Sequence, residues 1–533
     1  MLKHLDIIPL DWTKFRLEGE LGKRLEKAFA RLIELRPGLF TSIQSYGMAE
    51  YAGNWLESME LLCRYYSGER ENLFREVADE LLTHQQEYGG FAQEQNPKTM
   101  NICFWVGDQR AVTGLLAAWR YFKDERYLQA AERVGKSLTK NWPTDMKKLA
   151  LETWGGMLPL KPELYFSLAI HGMTQLYDAT KDGSFLSFAE KVGKIIPRIE
   201  PDTYPEHADC RMNALFGILS LYKISGNTGL LDAAMKDQQV IANHFQWSSG
   251  GIPEIFPDNW RDEACQTANW VRVNLWLWKI TGQERFLDTA ERVWRNHLYF
   301  DQHPNGGFCW GRTLRDGGAK SQRPDNRGLP FEMYYCCSET APRALLDIGR
   351  NAVLSIAGIP TICFWAAGQY ILPGGKINIK NDLEPLKILR AECAFDQPVR
   401  LKIRIPQNMN PVALQNADGQ KIPFLTDGIW MTVEAIGGIN NLNLQLEGHV
   451  KLEEKSYPCL KPMTGDVNNS HAAWQKQDVL NFSDRRVPVF FGPWMLKADI
   501  LENTWFEPNR QYENVFRGYV SRTGLNSQTT RAV

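Results

Sequence analysis

The sequence predicts a multidomain protein of mixed α and β structure, in which an (α/α)6 helical toroid is followed by one or more antiparallel β-sandwich domains. The chain has 533 residues, more than one ordinary hydrophobic core accommodates. A helical repeat recurs between residues 50 and 300, and short alternating segments replace it after about residue 350. We therefore expect a helical barrel over residues 1–350 and β-sandwich structure over residues 351–533, to which the N-terminus could add short strands.

The helical part is predicted from an internal repeat, which consists of a helix ending in an aromatic residue, a polar turn and a second helix. Its copies are LLCRYYSGERENLF (61–74), LLAAWRYFKDERYLQAAERV (115–134), MTQLYDATKDGSFLSFAEKV (173–192), ILSLYKISGNTGLLDAA (218–234) and VNLWLWKITGQERFLDTAERV (273–293). Helical hairpins repeated in this way can stack as an open solenoid or close into a ring. We favour the ring, by analogy with known helical toroids, because it would bring the candidate segments 245–265 and 302–337 to one end.

The C-terminal part is predicted from a change of periodicity. Alternating segments are KINIKND (376–382), VRLKIRIP (399–406), WMTVEA (430–435), LNLQLEG (442–448) and VPVFFGP (487–493). Alternation with Gly, Asn and Asp turns is typical of antiparallel sandwiches. We expect the polar stretch 462–486 and the tail 520–533 to be loop or disordered.

Composition restricts the function classes. The chain carries 61 Lys plus Arg against 62 Asp plus Glu, so no broad basic field favours nucleic acid. No run reaches the roughly 20 apolar residues of a membrane helix, and Asp6, Pro9 and Asp11 interrupt any signal-peptide core. We therefore expect a cytoplasmic protein with ten reduced cysteines. The 18 Trp residues weakly indicate a carbohydrate ligand, because indole faces stack on sugar rings.

The sharpest candidate site lies in two fragments, Asp262-Glu263-Ala264-Cys265 and Tyr335-Cys336-Cys337. Together they supply three thiols and the Glu263 carboxylate, enough to complete the tetrahedron of a Zn2+ ion. The spacing alone leaves other interpretations open. The cysteines could be buried core residues, or Cys336 and Cys337 could form a vicinal disulfide or a redox pair.

A resemblance over roughly residues 45–500 favours the zinc interpretation. It is carried in order by AEYAGNWLESM (49–59), HADCRMNALF (207–216), SSGGIPEIF (248–256), DEACQTA (262–268), RFLDTAERVWRNHL (285–298), NGGFCWGR (305–312), YYCCSETAPRALLDIG (334–349), VRLKIRIP (399–406) and VPVFFGPW (487–494). These stretches resemble the zinc-dependent bacterial β-L-arabinofuranosidases of glycoside hydrolase family 127, whose helical toroid is followed by β-sandwich domains. The resemblance implies that residues 1–350 form the catalytic domain.

The resemblance also implies roles for individual residues. Glu263, Cys265, Cys336 and Cys337 would bind zinc, and Cys336 would also be the nucleophile of a retaining reaction. Glu254 would be the acid/base, with Glu332 as the next candidate, and His207 would contact the sugar. Without the resemblance, a Glu in a Gly-Pro loop or a lone His is more often an ordinary polar residue.

Departures from the family pattern concern the sugar pocket. Relatives carry Pro-Pro-Asn after the paired cysteines, where this chain has Ser338-Glu339-Thr340. Sugar-binding histidines of relatives align approximately with Trp105 and Phe166. We therefore expect a rebuilt pocket in which Arg110 could receive an acidic sugar, although a surface salt bridge would explain the same Arg.

The sequence thus predicts a retaining, exo-acting, β-L-arabinofuranosidase-like hydrolase that uses Zn2+ on plant-derived oligosaccharides. One alternative is a glycosidase or lyase on the same toroid that uses a carboxylate pair drawn from Glu254, Asp258 and Glu332, with structural cysteines. Another is an inactive carbohydrate-binding protein. We expect neither nucleic acid nor membrane as a partner, and an exposed sandwich edge could support a homodimer.

Overall fold

The computed structural model describes most of the chain from Ile7 to Lys497. The described residues are 7–37, 49–91, 102–143, 145, 162–199, 206–256, 262–310, 312–315, 318–321, 331–333, 336–383, 388–452, 457–459, 480–482, 489–491 and 493–497.

Within the described residues, six inner and six outer helices form the N-terminal part. The inner helices are α2 (Glu50–Tyr65), α4 (Ile102–Phe122), α7 (Ala169–Thr180), α9 (Ala208–Ser225), α11 (Ala264–Thr281) and α14 (Cys337–Arg350). The outer helices are α1 (Gly19–Glu34), α3 (Glu71–Thr83), α5 (Glu125–Lys140), α8 (Gly183–Gly193), α10 (Thr228–His244) and α12 (Arg285–Val293). Short helices α6 (Pro162–Phe166) and α13 (Tyr299–Asp301) lie between them, and a π-helical segment, Trp294–Leu298, joins α12 to α13.

The inner helices close into a ring. Each packs against the next in chain order, and α14 packs against both α11 and α2. The toroid is therefore closed, as predicted, and is not an open solenoid. Each copy of the sequence repeat contains the turn from an inner helix to the following outer helix, which explains the constant register. The sixth outer helix is α1, which comes from the N-terminus and packs against α14.

The described residues of the C-terminal part are dominated by a sheet of ten strands. Its strands are β1 (Ile7–Ile8), β2 (Phe15–Leu17), β9 (Val353–Ile356), β10 (Ile359–Ile362), β11 (Gly368–Leu372), β12 (Gly375–Ile379), β13 (Leu389–Arg404), β14 (Met409–Gln415), β15 (Leu425–Asp427) and β16 (Trp430–Gly448). Pairing is antiparallel except between β10 and β13. Strands β1 and β2 come from the N-terminus and pair with β9 and β11.

The remaining strands are short. They are β3 (Glu206–His207), β4 (Ile255–Phe256), β5 (Cys309–Trp310), β6 (Arg312–Arg315), β7 (Gly318–Ser321), β8 (Phe331–Glu332), β17 (Val450–Leu452), β18 (Tyr457–Cys459), β19 (Leu480–Phe482), β20 (Val489–Phe491) and β21 (Trp494–Lys497). Strand β19 pairs with β18, which corrects the expectation of loop or disorder for that part of 462–486. The rest of that stretch and the tail 520–533 lie outside the described residues.

A buried ion-pair network joins the toroid to the sheet. Arg404 at the end of β13 contacts Glu291 of α12 at 2.7 Å, and Glu291 also contacts Arg295 at 2.8 Å. Arg404 and Glu291 are each only 1% exposed, so each charge depends on its partner for solvation. Among the helices of the described residues, none is both long and apolar enough to cross a bilayer.

Candidate metal centre

The predicted ligands lie at the start of two inner helices. Glu263 is the N-cap residue of α11, with Cys265 in its first turn, while Cys336 is the N-cap residue of α14 and Cys337 is its first residue. Because α11 packs against α14, these two N-termini meet at the same end of the ring. The partial positive charge of a helix N-terminus favours anionic side chains such as carboxylate and thiolate.

The four side chains form one cluster. Their ligand atoms all lie within 4.8 Å of one another. Cys336 Sγ lies 3.7 Å from Cys337 Sγ, and Cys265 Sγ lies 3.4 Å from a carboxylate oxygen of Glu263. All eight cysteines whose side chains the structure describes are free thiols, and Cys336 and Cys337 are not bonded to each other. The donor set of three sulfurs and one oxygen could hold a metal ion.

The thiols are costly to ionise where they stand. Burial raises the pKa of Cys265 and of Cys337 well above the usual thiol value, and neighbouring Glu263 adds to the effect. A hydrogen bond with Cys265 lowers the pKa of Cys336, but the hydrogen bond with Cys337 and burial outweigh it. The pKa of Cys336 is therefore also raised well above the usual thiol value. A cation among the sulfurs would reverse this balance, since metal-bound thiols are deprotonated.

His207 and Glu254 lie beside the cluster. One ligand atom of each lies within 4.8 Å of the Glu263 carboxylate, and His207 Nε2 is 3.2 Å from it. Antiparallel pairing of β3 with β4 and the hydrogen bond from Ala208 N to Glu254 O hold the two segments together. Glu254 is only 3% exposed, whereas a loop Glu is usually solvated.

Glu254 follows a tight turn that occurs three times in the part of the ring that the structure describes. In each copy, the backbone N–H of the residue after a Gln donates a hydrogen bond to the carbonyl oxygen of the second glycine in a Gly-Gly pair. The three bonds run from Gln86 to Gly90, from Trp247 to Gly251 and from His303 to Gly307. The first glycines, Gly89, Gly250 and Gly306, have φ of 100°, 97° and 97°, which other residues rarely adopt. The turns therefore share one backbone geometry.

Comparison with known proteins identifies the family. A family model described as the β-L-arabinofuranosidase GH127 catalytic domain matches residues 54–350, more than half of the chain. The chain belongs to this family. It is therefore a glycoside hydrolase, as the sequence predicted, although no curated protein sequence matches it.

Solved structures agree in fold with this GH127 assignment. A GH127 β-arabinofuranosidase superposes with a TM-score of 0.69 at 15% identity, covering 92% of this chain and 85% of that chain. A GH127 β-L-arabinofuranosidase from Geobacillus stearothermophilus T6 superposes with a TM-score of 0.62 at 14% identity, covering 91% and 86%. Both superpositions cover more than nine-tenths of this chain.

Two predicted sugar contacts of this GH127 protein lie in an aromatic cluster. Trp105 and Phe166 are 1% and 0% exposed, and their ring centroids are 5.7 Å apart. Trp142 packs edge-on against both rings. The structure thus places both residues in the hydrophobic core between α4 and α6, away from solvent.

Two further predicted residues are held by ion pairs. Arg110 is buried inside the ring, where it donates to Asn213 at 2.9 Å and to Asp209 at 3.3 Å; it does not form the surface salt bridge considered above. Glu332 accepts both a 2.9 Å Nε and a 2.9 Å Nη2 hydrogen bond from Arg31. Although burial raises the pKa of Glu332, the Arg31 hydrogen bonds lower it overall, which disfavours a general-acid role. Asp258, of the alternative carboxylate pair, lies outside the described residues.

Sequence reasoning missed several residues near the centre. Glu50, in the first turn of α2, is partly buried, and burial raises its pKa to about 7 although Arg110 opposes the shift. Asp262, His297 and Ser249 form a hydrogen-bonded group between the turn that precedes Glu254 and the segment that carries Glu263. For Glu50, the position at the start of an inner helix was an available signal.

Proposed function

We propose that this GH127 protein is a retaining, exo-acting, β-L-arabinofuranosidase-like hydrolase of plant-derived oligosaccharides, with a zinc-bound cysteine nucleophile. The proposal rests on one observation above all, the convergence of Glu263, Cys265, Cys336 and Cys337 into a single cluster. We assign zinc binding to these four residues, the nucleophile to Cys336 and the acid/base to Glu254.

The distances fit a tetrahedral zinc site. Zn–S bonds of about 2.3 Å at tetrahedral angles separate two sulfurs by about 3.8 Å, and a Zn–O bond of about 2.1 Å gives a sulfur-to-oxygen distance of about 3.6 Å. The corresponding distances are 3.7 Å between Cys336 and Cys337 and 3.4 Å between Cys265 and Glu263. When bound, zinc would keep the thiols ionised at neutral pH.

Exposure distinguishes the three sulfurs. Cys265 and Cys337 are buried, whereas Cys336 is partly exposed, so Cys336 is the thiol that a substrate can approach. Its sulfur would attack the anomeric carbon and form a C–S bond while the glycosidic C–O bond breaks. Glu254 would give its proton to the leaving oxygen.

Glu254 would then act as the base of the second step. It would take a proton from a water molecule, whose oxygen would replace the sulfur at the anomeric carbon and release Cys336 as thiolate. Its position beside His207 and Glu263, and therefore beside the ligand cluster, supports this assignment, because an acid/base must lie within reach of the reacting atoms. Two displacements on one carbon give net retention.

The family description, which names β-L-arabinofuranosidase, supports the proposed substrate class. Arg110 supports a neutral sugar over an acidic one, because Asp209 and Asn213 already use its guanidinium. We therefore propose a terminal β-L-arabinofuranoside, for which His207 is the sugar contact nearest the cluster.

The assignment is tested with Cys336→Ser and Glu254→Gln. Wild-type protein should contain about one zinc per chain, and Cys336→Ser should keep its fold but lose at least ~1,000-fold of its activity on p-nitrophenyl β-L-arabinofuranoside, because an alcohol is a poor nucleophile at neutral pH. Glu254→Gln should impair alkyl glycosides far more than p-nitrophenyl glycosides, which need little protonation.

Cys393→Ser provides the matched control. Cys393 is a buried free thiol in β13, and its replacement should leave zinc content and turnover unchanged. Full activity of Cys336→Ser, or full activity of a metal-free preparation, would contradict the proposal and favour the carboxylate-pair alternative.

A further inference from the structure

His297 links two segments that the proposed chemistry requires to stay in register. Its Nδ1 lies 2.8 Å from Ser249 Oγ, and its Nε2 lies 2.7 Å from a carboxylate oxygen of Asp262. All three residues are 0% exposed. Since a carboxylate only accepts, Nε2 donates to Asp262, and the bond with Ser249 occupies the other ring nitrogen.

The two partners of His297 belong to different functional segments. Ser249 lies in the Gly-Gly turn that leads into Glu254, and Asp262 immediately precedes Glu263. Gln266 of α11 donates to Ile252 O at 2.8 Å and so ties the same loop to the helix that carries Cys265. The imidazole therefore bridges the proposed acid/base loop and the proposed ligand segment.

Local backbone features fit this bridge. His297 lies in the π-helical segment Trp294–Leu298, a geometry that is often found at functional sites. A Cβ on Gly251 would lie 2.3 Å from the His297 ring, so the turn can approach the imidazole only because residue 251 is glycine. Trp247 covers the ring at a centroid distance of 5.4 Å.

Two other interpretations of the group are weaker. Ser249, His297 and Asp262 have the residue types of a catalytic triad, but Ser249 is fully buried and cannot contact a substrate. Asp301 lies 3.7 Å from the same Nε2, and together with Asp262 it could suggest a second cation. Both ring nitrogens are already engaged in hydrogen bonds, which leaves His297 no free lone pair for a metal.

We propose that His297 is a positioning residue that holds the acid/base loop and the metal-ligand segment in register, through Ser249 and Asp262 respectively. The inference rests on the proposed roles of Glu254 and Glu263. The imidazole then has two separable hydrogen bonds, which we call its arms. The bond with Ser249 orients the proton donor, and the bond with Asp262 orients a metal ligand.

Two conservative substitutions separate the arms. The amide of His297→Gln can reach the place of Nε2 and keep the Asp262 bond, and that of His297→Asn can keep the Ser249 bond at Nδ1. We expect His297→Gln to lower kcat/KM on an alkyl β-L-arabinofuranoside by about 30- to 100-fold but on the p-nitrophenyl glycoside by less than about 5-fold. We expect His297→Asn to lose zinc to a chelator about 10-fold faster than wild type.

Smaller and matched variants accompany this test. Ser249→Ala should reproduce the leaving-group dependence of His297→Gln with wild-type zinc retention. His171 is a partly buried histidine, with Nδ1 2.7 Å from Ser220 Oγ, so His171→Asn should lower thermal stability without changing either readout. If His297→Gln and Ser249→Ala affect both glycosides equally, and His297→Asn keeps zinc as wild type does, His297 is only structural and the proposal is wrong.

Failure of the proposed function gives a different pattern. If Glu254→Gln itself shows no dependence on the leaving group, the acid/base assignment fails. The positioning role is then decided by zinc retention alone: faster loss in His297→Asn than in His297→Gln supports it, and equal rates overturn it.

Discussion

The free energy of unfolding of an Asp108→Asn variant, relative to that of wild type, should increase as the pH rises. Asp108 lies on α4 beneath the first Gly-Gly turn, where its Oδ1 accepts the Phe91 N–H at 2.8 Å. It is 1% exposed, and its Oδ2 has no hydrogen-bond partner among the described residues. Asn preserves the shape and the acceptor for Phe91 but removes the ionisable group.

The sign follows from proton binding. Burial raises the pKa of Asp108 from 3.8 to about 7, although the Phe91 hydrogen bond partly opposes the shift. Between these values the folded state holds a proton that the unfolded state has lost, so wild-type stability falls as pH rises and levels off above pH 7. Raising the pKa from 3.8 to about 7 corresponds to roughly 4 kcal/mol, of which roughly 3 kcal/mol falls between pH 5 and pH 8.

Urea unfolding of both proteins at pH 5 and pH 8 measures this difference. The stability of Asp108→Asn minus that of wild type should increase by roughly 3 kcal/mol over the interval, whatever its value at pH 5. The pH 5 comparison is the internal control, since it contains any change in packing. A difference that stays constant from pH 5 to pH 8 would show that Asp108 ionises in the folded state as easily as in the unfolded chain.

Three further predictions concern packing around the ring. Arg404→Ala should lower the free energy of unfolding by about 3 to 5 kcal/mol, because it leaves Glu291 with one buried partner fewer; a loss under 1 kcal/mol in denaturant unfolding would contradict this. Phe166→Ala should cost about 3 to 5 kcal/mol in the same assay with KM nearly unchanged, whereas a large rise in KM at unchanged stability would place the ring in the sugar pocket. Gly251→Ala should destabilise by about 1 to 3 kcal/mol because its Cβ meets His297, and the cost should shrink in a His297→Ala background; equal costs in both backgrounds would exclude that contact.

The toroid was predictable because its repeat is local. Each copy joins an inner and an outer helix through one turn, so a constant spacing of aromatic and Leu residues already specifies the hairpin. The sixth helix pair could not be predicted from the repeat, because α1 and its partner α14 lie at opposite ends of the helical part of the chain. The merging of 430–435 and 442–448 into β16 was not predicted either, because Gly437 and Gly438 resemble a turn but lie within the strand, where Gly438 pairs with Phe395.

The ligand cluster was predictable from residue types, but its surroundings were not. Thiols and a carboxylate at the start of two inner helices are visible in the sequence once the helices are placed. The recurrence of Gln, three residues and Gly-Gly, at 85–90, 246–251 and 302–307, was a usable signal for the three turns. The residues that pack beneath each turn could not be predicted from the sequence, because Asp108, His297 and Glu332 come from unrelated elements and approach the turns only in the folded chain.

The direction of the inner helices accounts for the acidic character of the site. Glu50, Asp209 and Glu339 lie in first turns, and Glu263 is an N-cap residue, so each meets a helix end whose partial charge is positive. Residues further along the same helices, such as Glu57 of α2 and Arg343 of α14, instead pair with one another. Substitution in the first turns should therefore change the chemistry of the site, whereas substitution deeper in the ring should mainly change stability.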